Sequence, residues 1–399
     1  MSSVPEERRR AAPIAAASLV AFLLAALALR PQLVGIGPLL PAMQDELGFP
    51  HGVGGLLTTL PVLCMAAMAL PAVRFAHHVG LRTAMAISLG GVLAFGLLRP
   101  LSTNLAWIFV MTAGLGIGMG IGGALLPRAV KATAPHRAGF ATGIYTTGIA
   151  LGAAGGAAFA GPIGEAAGWQ VALLVLAAVT APILVAWLAI SRRLPSRAAD
   201  DALPRLPLRS PLAWRLVGIF SLNSLCFYGL NTWLPSIYVD LGWSVTSAGA
   251  LAALMNAGGL PASVAVPWIS DRSRHRNGYV VATGLVIAVA IAGILFVPTL
   301  ALLWVILVGL ALGALFPLTL TLPLDAMHEE SEVAGYAAMM LTGGYAVAAL
   351  GPVVLGVLRD ATGDFSLSLW TLIASGLILA LLALRPIVRS PQAAGRPAA

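Results

Sequence analysis

Charge is scarce in this chain. Only 10% of its 399 residues are Asp, Glu, Lys or Arg, where a soluble domain carries roughly 25%. So few charges exclude an ordinary water-facing surface. Lysine is almost absent, with Lys131 standing alone among arginines. Acid is scarce too: all fifteen Asp and Glu residues fall in tails, loops or helix ends. The six histidines also lie in loops, which leaves no His, Asp or Glu cluster for a membrane enzyme or a metal site. The chain reads as a non-enzyme that needs no cofactor. Its two cysteines, Cys64 and Cys226, sit in apolar runs and read as packed small hydrophobes, not a disulfide or metal pair. The sequence pI near 10.3 is no sign of nucleic-acid binding. The basic residues are dispersed among short loops and form no stripe.

What the chain has in abundance is apolar length. Hydrophobic residues make up 59% of it and its mean hydropathy is +0.93. A spanning helix needs about 20 such residues. Candidates run near 14–39, 53–76, 83–101, 105–130, 138–163 and 168–191, then 212–239, 245–269, 278–298, 301–325, 333–358 and 366–385. The first follows Arg8, Arg9 and Arg10, is too long for a signal-peptide core, and is expected to stay as an uncleaved span. The polar stretch 192–211 reads as a linker between an N-terminal bundle, 1–191, and a C-terminal bundle with a short tail, 212–399. If both termini and the linker are cytoplasmic, twenty of the 23 basic residues fall on the cytoplasmic side. Only Arg30, Arg99 and Arg359 remain outside the pattern. The positive-inside rule then favours twelve helices in an inner membrane with both ends in the cytoplasm.

The two halves resemble each other. LLPAMQDELGFPHGVGGLLTTL from Leu39 aligns without gaps with WLPSIYVDLGWSVTSAGALAAL from Trp233, 194 positions later. The shared residues are Leu40-Pro41 with Leu234-Pro235, Leu47-Gly48 with Leu241-Gly242, and Gly55, Leu57 and Leu60 with Gly249, Leu251 and Leu254. Ala138-Gly139-Phe140 likewise matches Ala334-Gly335-Tyr336 at an offset of 196. Parallel repeats of this kind build secondary transporters whose substrate lies between the halves near the bilayer midplane.

The loop after the eighth span reads Pro267-Trp-Ile-Ser-Asp271-Arg272, with Arg274 and Arg276 beyond. It resembles the Gly-x-x-x-Asp-Arg loop of the major facilitator superfamily, which implies a gating clasp on Asp271 and Arg272. The equivalent first-half loop keeps Arg74, Gly80 and Arg82 but has His77 and His78 where Asp-Arg would stand. Further residues narrow the likeness: Leu29-Arg30-Pro31, Val34 to Pro41, Leu125-Leu126-Pro127, Thr142 to Thr147, Phe227-Tyr228, Trp233-Leu234-Pro235, Leu315-Phe316-Pro317 and Gly351-Pro352. In this order they resemble the cyanate/nitroimidazole-type branch of that superfamily, and the resemblance implies transport of a small anionic or polar solute. The chain departs from that branch at Ala28 and Gly123, where asparagine is common.

Arg30 is the main site candidate. It lies ~24 Å into the first span, where an arginine costs about 2.5–3.5 kcal/mol on insertion scales and must face the protein interior. Pro31 removes a backbone donor beside it, and Gly35, Gly37 and Pro38 leave room for a ligand. The planar guanidinium suits a small anion. The candidate lining adds Tyr145 and Thr146, then Asn223, Tyr228 and Asn231, then Asn256, and Thr342 and Tyr345. Arg128 and Lys131 mark the cytoplasmic end of the fourth helix, and Asp325 is the least remote acid for proton coupling. The alternating glycines Gly114 to Gly122 lack a βαβ context and read as helix packing, not a nucleotide fingerprint. The expected whole is a monomeric twelve-helix carrier of a small polar solute working by alternating access. A drug exporter of the same superfamily is the nearest alternative.

Overall fold

The computed structural model describes residues 18–133, 138–191, 205–272, 276–327 and 329–385, and these are helical with no strand among them. The first bundle holds α1 (Ser18–Leu47), α2 (His51–Met68), α3 (Leu81–Leu101), α4 (Leu105–Ala129), α5 (Gly143–Ala167) and α6 (Trp169–Ile190). The second holds α7 (Pro211–Asp240), α8 (Val245–Ser270), α9 (Arg276–Phe296), α10 (Pro298–Ala326), α11 (Glu332–Thr362) and α12 (Ser366–Leu384). Eleven of the twelve are long and apolar enough to cross a membrane. The exception is α7, whose 30 residues include Asn223, Tyr228, Asn231, Thr232 and Ser236, all buried. A helix so polar belongs inside the bundle, where neighbouring helices satisfy its side chains.

Two expected boundaries move. The first span continues to Leu47, where Gly48 caps it with φ +68°. The second helix stops at Met68, and Pro71 starts a separate short helix, Pro71–Val79, at its first turn. Large apolar residues such as Val110, Val185, Leu302 and Leu381 are more than half exposed, which forms a lipid-facing exterior. Tryptophans near the helix ends hold their indole N–H on carbonyls: Trp107 on Leu98, Trp214 on Leu208 and Trp304 on Val297.

The bundles meet through α2 with α11, α5 with α8, and α1 with α7. The sequence repeat maps α2 onto α8 and α5 onto α11, so the first two contacts are copies of each other. One end of the molecule carries Arg74, Arg82, Arg128, Arg205, Arg209, Arg215, Arg272 and Arg276, and we call it the arginine-rich face. The bundles close tightly on the opposite face. A Cβ at Gly37 would lie 2.1 Å from the Asn231 carbonyl oxygen, so α1 and α7 touch backbone to backbone there.

Two carboxylates fasten the same face. Asp360, near the end of α11, accepts the backbone N–H of His51 (3.0 Å) and of Gly52 (2.7 Å), and lies 2.9 Å from His51 Nδ1. Glu165, near the end of α5, accepts the backbone N–H of Thr246 (2.8 Å) and its hydroxyl (2.5 Å). In each case an acid from one bundle satisfies free N–H groups at a helix start in the other. Asp360 follows Glu165 by 195 positions, and Thr246 follows His51 by the same interval. The two fastenings are therefore one duplicated device.

Candidate functional site

The site begins with a break in α1. Pro31 has no N–H, so regular α-helical bonding fails just before it. Leu29 and Arg30 donate instead to Ala26 and Leu27, three residues back, at 3.3 and 3.4 Å. Helix resumes over Pro31–Val34 and, after Gly35, over Ile36–Leu47. The glycines of α5 let this broken segment lie close. Cβ atoms at Gly148, Gly152 and Gly156 would sit 2.3 Å from Leu23 O, 2.3 Å from Leu27 O and 2.7 Å from Pro31 Cα. Close packing at these glycines is what places Arg30.

Arg30 is 7% exposed and faces a cavity between the bundles. Its Nη1 donates to the Tyr228 hydroxyl at 3.0 Å, and Tyr345 lines the same cavity. Among the described residues no carboxylate pairs with it. The first bundle contributes Arg30 and one side of α5, from Thr146 to Ala153. The second contributes Asn223, Phe227 and Tyr228 of α7, Asn256 of α8, Phe316 of α10 and Tyr345 of α11. Tyr345 meets Phe220 edge to face with ring centroids 5.0 Å apart, and Tyr228 meets Phe227 at 5.3 Å. Counting its open mouth, the cavity encloses about 830 Å³.

The amides form a fixed chain. Asn231 Nδ2 donates to Phe227 O at 2.8 Å, which turns its Oδ1 toward Asn256. Asn256 Nδ2 donates to that Oδ1 at 2.7 Å and to Ala252 O at 2.8 Å. Asn256 thus lines the cavity directly, and Asn231 stands behind it. Asn223 is 2% exposed, and its Oδ1 is buried with no partner among the described residues.

The other expected site residues are scattered. Tyr145 is 6% exposed and packs in an apolar cluster that includes Tyr228, Ala348 and Ala349 of the second bundle, without lining the cavity. Thr146 does line it, with its hydroxyl 2.9 Å from Gly143 O. Thr342 borders a different space with Leu70, Arg74 and Leu206, and its Oγ1 is buried without a partner among the described residues. Asp325 is ion-paired with Arg276 at the arginine-rich face, away from the cavity lining.

Of the loop residues, Arg82 donates to Leu188 O at 3.2 Å, and Arg74 is exposed on the short helix. Arg272 donates to Trp268 O and lies 3.6 Å over the Trp268 ring. Arg128 is part-buried near the arginine-rich end of α4. The side chains of Asp271 and Lys131 lie outside the described residues.

Sequence reasoning missed two features. Phe227 and Phe316 were read as family markers and not as lining. Arg99, left among the residues outside the loop pattern, is fully buried. It donates to Gln32 Oε1 at 2.5 Å and to Gln32 O at 3.3 Å, and Gln32 Nε2 donates in turn to Leu173 O. It pins the far side of the α1 break to α3 and α6. The available signal was a polar Gln directly after Arg-Pro in an otherwise apolar run.

The chain is 30% identical over 373 residues to the 2-nitroimidazole transporter of Escherichia coli (strain K12), covering 92% of this chain and 94% of that one. It is 31% identical over 381 residues to the cyanate transport protein CynX of the same organism, covering 94% and 98%. Among solved structures it superposes on a bacterial homologue of the human lysosomal transporter Spinster, in an inward-facing and unoccupied conformation, with a TM-score of 0.75. Identity there is 17%, over 93% of this chain and 95% of that one, and this likeness bears on fold alone. The Major Facilitator Superfamily model matches residues 14–352, and with the paired six-helix bundles it establishes that this multi-pass membrane protein belongs to that superfamily of transporters.

Proposed function

We propose that the chain carries a small organic solute bearing an anionic or strongly accepting group, held at Arg30 and moved by alternating access. The observation that carries this reading is a buried arginine that faces an inter-bundle cavity with no described carboxylate to neutralise it. Such a charge is costly at membrane depth, and a bound anion offsets the cost. The guanidinium belongs to the first bundle and the amides and aromatic wall belong to the second. A solute touching both groups ties the bundles together, which is how occupancy can bias a rocking motion. The aromatic wall favours a flat organic body over a bare triatomic ion such as cyanate.

The arginine-rich face is cytoplasmic in this reading, since nearly all basic residues gather there, and the membrane is the bacterial inner membrane. Among the described residues no acid lines the cavity. Movement is therefore by uniport, exchange or passage with the solute's own proton.

The test is a thermal-shift screen of purified wild-type protein and Arg30→Ala against small carboxylates, benzoates, cyanate, neutral nitroimidazoles and cationic drugs. A ligand at 100 times its Kd stabilises by about 2.7 kcal/mol. Anions are expected to raise the wild-type Tm and to lose that effect in Arg30→Ala. Equal stabilisation of both proteins by neutral or cationic compounds would replace this reading with that of a drug exporter.

A further inference from the structure

The cavity makes two different demands on its ligand. Around Arg30 it offers donors, but across the cavity it offers an acceptor whose direction is fixed. Asn231 can donate to the Phe227 carbonyl only through Nδ2, so its Oδ1 faces Asn256. Asn256 must answer with its own Nδ2, which also reaches Ala252 O. Both donor positions of Asn256 are then used within the protein. Its Oδ1 has no partner among the described residues and is not sealed from the cavity that the residue lines. Reversing the Asn256 amide would set oxygen against oxygen at both contacts, so the network locks this orientation. Asn223 adds a second amide on the same wall, but its Oδ1 is sealed from the cavity and without a partner among the described residues, so the acceptor open to a ligand is that of Asn256. A cavity acceptor that a bound ligand desolvates costs free energy unless that ligand supplies a donor.

We infer that the substrate is bifunctional: an anionic or nitro-type acceptor group for Arg30, and a separate N–H or O–H donor for the Asn256 oxygen, joined by a flat apolar body. This inference deepens the proposed function and rests on its reading of the Arg30 cavity. The two tyrosines and two phenylalanines around the same space suit an aromatic ring as that body. A hydroxy- or amino-substituted aromatic carboxylate, or an azole with a ring N–H and a nitro group, meets all three demands. Cyanate meets only the first.

The test uses ligands matched in size that differ only in the donor. Binding of 3- and 4-hydroxybenzoate, 3- and 4-aminobenzoate and the corresponding methylbenzoates is measured by isothermal titration calorimetry. The proteins are the purified wild type, Asn256→Leu and Arg30→Ala. In the wild type at least one hydroxy or amino isomer is expected to bind about tenfold or more tightly than its methyl counterpart, because the methyl leaves the amide oxygen unpaired. Asn256→Leu is expected to erase that preference while still binding the methyl compound. Equal wild-type binding of hydroxy, amino and methyl compounds, all lost in Arg30→Ala, overturns the donor rule and leaves the arginine site standing. Binding that survives Arg30→Ala unchanged overturns the underlying reading itself. The wild-type comparison remains decisive if Asn256→Leu does not fold.

Discussion

At the scale of single residues, the outcome turns on where a polar atom points, not on its being polar. Tyr228 and Thr342 were both expected in the lining, and the structure separates them. Tyr228 accepts from Arg30 and holds the guanidinium against the second bundle, whereas the Thr342 hydroxyl is buried away from Arg30 without a partner among the described residues. Their substitutions should therefore diverge. Tyr228→Phe removes one hydrogen bond to a charged group, worth about 1.5–3 kcal/mol, and is expected to weaken anion binding roughly tenfold or more in calorimetry. Thr342→Val removes an unsatisfied hydroxyl at nearly constant volume and is expected to leave affinity unchanged with Tm equal or slightly higher. Arg30 itself was legible because an arginine inside an apolar run has few places to go. The amide roles were not, since an asparagine in a span fits an interhelical bond as well as a ligand contact.

At the scale of elements, the site depends on a broken helix lying against a smooth one. Pro31 interrupts α1, and the glycines of α5 remove the side chains that would hold the two apart. Gly152→Ala would place a methyl 2.3 Å from Leu27 O and 3.2 Å from the Arg30 Cβ. Backbone cannot yield there as a side-chain tip would, so α1 must shift. The expected result is a loss of about 1–3 kcal/mol, the usual range for overpacking, read as a lower Tm, together with weaker binding of any Arg30 ligand. Gly143→Ala serves as the comparison, because nothing lies within 4 Å of its added Cβ and it should leave both quantities intact. The existence and order of the helices were plain from apolar length alone. The break at Ala69–Leu70, the extension of α1 to Leu47 and the burial of Arg99 were not, because each depends on what packs against the segment.

At the scale of the whole molecule, the two bundles are closed on the face opposite the arginines by a duplicated pair of carboxylate fastenings. Opening that face requires Asp360 to leave the start of α2 and Glu165 to leave the start of α8. Neutralising either acid weakens charge-assisted bonds to helix N-termini. Asp360→Asn and Glu165→Gln are each expected to shift the population toward the open form, and the double variant further. Spin labels on the two sides of this face, read by double electron–electron resonance, measure the shift. Unchanged distance distributions in the double variant would show that close backbone packing such as Gly37 on Asn231 holds the face closed alone. The 195-residue spacing of these acids was present in the repeat. Its meaning was hidden because both residues looked like ordinary helix ends.

The sequence by itself determined the membrane class, the duplication, the number of spans and the presence of one arginine in an apolar run. These follow from composition, periodicity and the cost of burying charge, which act along the chain whatever its final packing. The tertiary structure decided which polar atoms share a space. It brought Arg30 of the first bundle to Tyr228, Asn223 and Asn256 of the second, and sent Thr342 and Asp325 elsewhere. It also turned Glu165 and Asp360 into paired fastenings. Those outcomes depend on close backbone approaches between helices remote in sequence, at glycines and at a proline break. Such approaches are properties of pairs of segments, and no single segment of the chain contains them.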